Sequence, residues 1–191
     1  MMTRLKDESG QALLEFALVA SLILILLLGV VEAGYAVLDQ HVVSKVSREG
    51  ANLISRDTSL AAAATAMTSV ASRPLNFTDG SSKLIFSVVK KVATVGATNY
   101  NKAVLCQRYV YGSYAGSSTL NNSGGTFGGA PDYSAANSDN DPSLVVTNVP
   151  ATMALGDMLY ITEIYSRHTL ITPLNNFGIT MPTTLYSIAY F

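Results

Sequence analysis

Cysteine is all but missing from this chain. Cys106 stands alone, so no internal disulfide can staple the fold. It sits in an apolar, strand-like run, which gives it the part of a small buried side chain rather than a reactive thiol. Charge is scarce too. Asp, Glu, Lys and Arg make up 13% of the 191 residues, about half the usual share of a soluble domain. The net charge is −1 and Lys and Arg nowhere cluster, so the electrostatic footprint of a nucleic-acid binder is missing. Histidine occurs twice, at His41 and His168. Neither has a Cys or carboxylate neighbour at metal-ligand spacing, so both are expected at the surface.

Catalytic signatures are missing as well. Gly112–Gly116 imitates a nucleophile elbow but carries Tyr114 where a serine is needed. The glycine-rich run Gly124–Gly129 lacks the Lys-Ser/Thr that completes a phosphate loop. Asp139, Asn140 and Asp141 resemble the start of a calcium loop, without its turn glycine and distal Glu. The expectation is a protein that is not an enzyme, with no cofactor and no metal site.

The apolar content is concentrated. Ala12 to Val31 contains only Glu15 and Ser21 as polar side chains, and Leu22–Leu28 is Leu and Ile throughout. Twenty helical residues reach about 30 Å, the thickness of a bilayer's hydrocarbon core. A membrane helix is expected there. Arg4 and Lys6 before it balance Lys45 and Arg48 after it, so the positive-inside rule does not orient it. A secretory signal with its exit at Val31-Glu32-Ala33 is one reading. It leaves Glu15 unexplained inside the apolar stretch, where a carboxylate costs about 2.5–3.5 kcal/mol.

Ser9-Gly10-Gln11-Ala12-Leu13-Leu14-Glu15-Phe16 resembles the type IV prepilin processing site, in the form found in TadE/TadG-like pseudopilins of tight-adherence (Tad) pili. The resemblance implies cleavage after Gly10 by a prepilin peptidase, with Gln11 as the mature N-terminus. It makes Glu15 the fifth-position acid and Phe16 its neighbour in assembly, and puts the N-terminus in the cytoplasm. Residues 156–165, 170–174 and 182–186 also resemble that family. The physics is compatible: Glu15 lies one helical turn from Gln11 and can neutralise a new ammonium group in its own subunit or a neighbour. A Glu that only snorkels to the headgroups is the simpler alternative.

The expected organisation is a leader at 1–10, a transmembrane helix at 11–33 and amphipathic stem helices at 34–72. An export-side sheet domain follows at 73–191. The stem stripe is Tyr35, Leu38, Val42, Val46, Leu53, Leu60, Ala64, Met67 and Ala71, set opposite a polar side that includes Asp39 and Gln40. Arg56-Asp57-Thr58-Ser59 marks a break and an N-cap. Strand character falls at Lys83–Val95, Ala103–Tyr111, Asp157–His168 and Thr184–Phe191. With no helical crossover pattern between Ala103 and His168, the sheet is expected to be antiparallel and the fold class α+β, with a long helix packed on a small sheet. The polar stretch 112–142 is expected to be a long exposed loop.

The leading function is that of a minor pilin or pseudopilin in assembly, priming or anchoring of a Tad-type pilus for surface adhesion. The resemblance implies as partners a prepilin peptidase, the major pilin, other minor pilins, inner-membrane platform proteins and the lipid bilayer. It implies a bacterial inner-membrane location, with the C-terminal domain periplasmic and the mature chain either held in the membrane or built into the pilus. The alternatives are a type II secretion pseudopilin and a membrane-anchored binding or sensory module that uses loop 112–142.

Overall fold

The structure, a computed structural model, describes residues 8–191, with side-chain surroundings from Gly10 onward. Most of the expected leader, with Arg4 and Lys6, lies outside the described residues.

Helix α1 runs unbroken from Glu8 to Ile54. No proline occurs before Pro74, and Leu, Ala and other good helix formers dominate its first half. It starts within the expected leader, three residues earlier than Gln11. After it, Asp57 takes a left-handed conformation (φ 59°). Helix α2, Leu60–Val70, then begins on the Ser59 cap, whose side chain accepts from the Ala62 N–H at 3.3 Å. It stops before Pro74, which cannot continue a helix.

Four strands follow: β1 (Ser82–Lys91), β2 (Ala103–Tyr111), β3 (Met158–Arg167) and β4 (Thr184–Tyr190). They form one antiparallel sheet in the order β2-β1-β3-β4. The α+β class and a final strand paired into the sheet are as the sequence predicts. A register shift between Val88 and Val89 makes Cys106 the extra residue on β2. Its thiol donates to the Val88 carbonyl at 3.2 Å. Burial pushes the thiol up to about 11, which keeps it protonated and inert.

Both sheet faces are covered. Against one face lie α1 and α2, enclosing Val43, Val46, Ile54, Leu60, Met67, Leu84, Phe86 and Ile164. At about 1.5–3 kcal/mol for each large apolar side chain buried, this core holds the helices to the sheet. The other face carries Val89, Leu105 and Ile161, and Leu120, Leu144 and Val146 from the long connection close over it. Two expectations change here. Residues 112–142 are folded onto the sheet rather than standing free, and their few large side chains hold them there. Leu120 is buried, Tyr133 stacks on Tyr109 with ring centroids 4.3 Å apart, and Tyr114 bonds Thr184 at 2.9 Å.

The stem stripe holds from Val42 to Ala71, whose residues lie in or against the helix-side core, and fails only at its start. Tyr35 and Leu38 are exposed, whereas Glu32, Val43, Ser47, Gly50 and Ile54 face the domain. Polar groups occupy the seat because β4 offers them partners. Gln40 Nε2 donates to the Tyr186 carbonyl at 2.9 Å, and Ser47 bonds Ser187 at 2.8 Å. A pattern of apolar spacing is blind to such pairs.

Candidate functional site: the apolar helix and its seat

The first half of α1 is bare. Leu13, Leu14, Phe16, Leu18, Leu22, Leu24, Leu26 and Leu27 are all exposed, and none of the most apolar window is buried within the molecule. An apolar surface of this length is stable only against lipid or other apolar surfaces. The helix fits a membrane anchor.

Gly10, Gln11, Glu15 and Phe16 lie on the exposed first turns of this helix. Gln11 Nε2 donates to Glu15 Oε1 at 2.9 Å, four residues on, so the two side chains share a face. Phe16 is 73% exposed. An ideal Cβ at Gly10 would meet nothing within 4 Å, so the fold places no demand for glycine there.

At the other end of the apolar stretch the helix meets the domain through charge. Glu32 is fully buried inside α1. Its Oε2 accepts from the backbone N–H groups of Ile171, at 3.1 Å, and Thr172, at 2.8 Å, and from the Thr172 hydroxyl. His168 stands between two carboxylates, with Nε2 3.1 Å from Glu32 Oε1 and Nδ1 2.7 Å from Asp39 Oδ2. Both ring nitrogens are thus taken up by carboxylates of α1, which ties the end of β3 to the helix. The expected surface position of His168 is therefore wrong. It is 1% exposed, while His41 is exposed as expected. The distance in sequence hid the partners: Glu32 and Asp39 precede His168 by 136 and 129 residues. Glu32 also lies mid-helix under residues 168–172, so in the folded chain the candidate exit Val31-Glu32-Ala33 is closed off.

A second buried carboxylate fixes the long connection. Glu163 is fully buried on β3, although strand alternation places it on a polar face. Its Oε1 accepts from the Thr119 N–H at 2.8 Å, the Thr119 hydroxyl at 2.8 Å and the Tyr186 hydroxyl at 3.0 Å. Oε2 takes the Ser118 hydroxyl. Arg108 donates to Asn122 at 3.0 Å and Ser118 at 3.2 Å. Burial lowers its pKa and the Glu163 charge opposes that.

The acids of the calcium-like run are committed elsewhere. Asp139 Oδ1 is 2.6 Å from Lys90 Nζ, and Asp141 accepts from the Ser143 N–H at 2.9 Å. Among the described residues no three His, Cys, Asp or Glu side chains converge on a metal position. The clefts are open to solvent. The one along α2 and Arg167, about 550 Å³, is lined by Arg73, Asn76, Asp79, Ser81 and Thr169 among others.

Comparison with known proteins agrees with the helix. The family model of TadE-like proteins matches residues 10–52, consistent with a TadE-like protein of Tad pili. The match takes in Gly10, Gln11, Glu15, Phe16, Glu32 and Asp39. It ends before the sheet, so residues 156–186, which carry the rest of the resemblance, lie outside it. No curated protein matches the chain, and no solved structure matches it.

Proposed function

We propose that this chain is a minor pilin or pseudopilin of a Tad-type pilus: a structural component, cut after Gly10, that acts in assembly, priming or anchoring of the fibre for surface adhesion. The observation that carries the reading is a bare apolar helix, continuous with a domain-seated stem, whose matched residues begin at the proposed cut. Residues 1–10 are then a cytoplasmic leader and 11–33 the inner-membrane span. The stem, 34–72, and the sheet domain, 73–191, stand on the periplasmic side.

In this reading a prepilin peptidase acts first, and cleavage turns the Gln11 nitrogen into an ammonium group one turn from Glu15. Glu15, already on the Gln11 face, pairs with that group or with a neighbouring subunit's. An unpaired charge in an apolar bundle is costly, so the pair sets axial register. Phe16 packs beside it against the next helix. Platform proteins lift the helix from lipid, and the major pilin and other minor pilins receive it. Glu32, His168 and Asp39 keep the domain fixed on the stem while this happens.

The test is the N-terminus of the mature protein in its own host, read by mass spectrometry with allowance for Gln cyclisation. The expected start is Gln11, lost when the prepilin peptidase is deleted. A start at Gly34 means a secreted domain. A start at Met1 or Met2 means a permanently anchored module. Either overturns the reading.

A further inference from the structure

The segment that covers Glu32 continues as an uncharged, partly apolar turn. From Thr169 to Phe191 the sequence contains no Asp, Glu, Lys or Arg. Leu174 is fully buried and anchors the short 3-10 turn Pro173–Phe177, which touches α1. Ile171, Phe177 and Ile179 point the other way and are 46%, 52% and 37% exposed. They are held out rather than loosely hanging. Gly178 is left-handed (φ 74°), its N–H donates to Asn175 O at 3.1 Å, and the Ile179 N–H donates to Leu174 O at 3.3 Å. With the Ile171 and Thr172 N–H groups on Glu32, much of this backbone is satisfied internally, as a segment entering an apolar phase requires.

Its height follows from the same contacts. His168 lies between Asp39 and Glu32 on α1, and Ile171 and Thr172 bond Glu32 itself. The chain after β3 therefore descends along α1 toward its apolar half. Ala12–Val31 reaches about 30 Å, so Glu32 marks the export-side edge of the span. The exposed Ile171, Phe177 and Ile179 belong to the segment bonded at that edge, where Val30 and Tyr35 of the helix are exposed as well. Aromatic and aliphatic side chains with no charge among them partition into this interfacial layer.

We infer that the turn Ile171–Ile179 is a second membrane contact, inserting Ile171, Phe177 and Ile179 into the export-side leaflet and seating the domain on the lipid surface. The inference rests on the reading of α1 as a membrane span. It adds to it that the domain lies against the bilayer rather than standing off it on a free stalk.

The experiment uses the full chain with Cys106→Ser, reconstituted in phosphatidylethanolamine–phosphatidylglycerol vesicles and carrying one environment-sensitive fluorophore at a new cysteine. The positions are Phe177→Cys, Ile179→Cys, Leu24→Cys within the span, and Val95→Cys, 83% exposed in the loop after β1. Vesicles contain lipids spin-labelled either near the headgroup or deep in the acyl chain. Expected are loss of most fluorescence at 177 and 179 with the shallow quencher, loss at 24 with the deep quencher, and no loss at 95. Quenching at 24 with none at 177 and 179 overturns the second contact and leaves the span standing; a probe shielded from water but untouched by lipid means a protein occupant and does the same. Absence of quenching at 24 removes the span and the proposal with it. Agreement between 177 and 179 guards against a local folding defect at either.

Discussion

His168 shows how much one side chain can hold. It joins the end of β3 to two turns of α1, with a carboxylate on each ring nitrogen. Replacing it with alanine leaves Glu32 fully buried and removes the ring that bonds it and Asp39. Removing one partner of a buried hydrogen bond costs about 1–3 kcal/mol, so His168→Ala should lower the urea midpoint of the full chain in detergent by that equivalent. His41→Ala, on the exposed side of the same helix, should leave the midpoint unchanged. If the two variants unfold alike, the imidazole is not what joins the domain to the stem.

At the scale of elements, two helices and the sheet meet closely at Gly50. A Cβ there would lie 2.9 Å from Thr162 Cγ2 and 3.1 Å from both Met67 Cε and Phe86 Cε1, so α1, α2 and the sheet converge on a position with no room for a side chain. Gly50→Val should destabilise by about 1–3 kcal/mol through overpacking, despite valine's better helix propensity. Chemical denaturation of the full chain checks this; a variant as stable as the parent would mean that the three elements shift apart freely. The elements themselves were legible in the sequence. Ala103–Tyr111 is the observed β2, and Ser59 is the observed cap. Periodicity and turn chemistry are local signals and locate such features well. The seat was not legible. Asp39 and Gln40 read as the water side of a helix, and Glu163 as the polar face of a strand, because their partners lie far away in sequence. What hides Glu163 is a Gly/Ser/Asn-rich connection whose composition resembles that of a free loop.

For the whole molecule, acid is the natural stress. Asp139 is held below its ordinary 3.8, first by the Lys90 hydrogen bond and next by Thr94. Asp141 and Asp79 are held low by Ser143 and Ser81. Groups depressed in the fold add stability that is complete above the ordinary carboxyl range and is lost as pH falls through the depressed values. On their account the thermal midpoint should hold from neutral pH to about pH 5 and fall below about pH 4. Asp139→Asn should lower it at neutral pH, and the gap to the parent should close in strong acid. A gap that stays constant with pH would assign Asp139 a packing role instead of an ionic one.

The seat of α1 also has a date. The helix leaves the ribosome first, whereas its partners Thr172, Tyr186 and Ser187 come more than a hundred residues later. At about 5–20 residues per second that interval is on the order of ten seconds. Through that time Val43, Val46 and Ile54 have no sheet to cover them, and Glu32 has neither histidine nor backbone donors. New chains thus pass through a stage in which the second half of α1 is an amphipathic helix without its seat. Folding of the domain is tied to the arrival of its last strand.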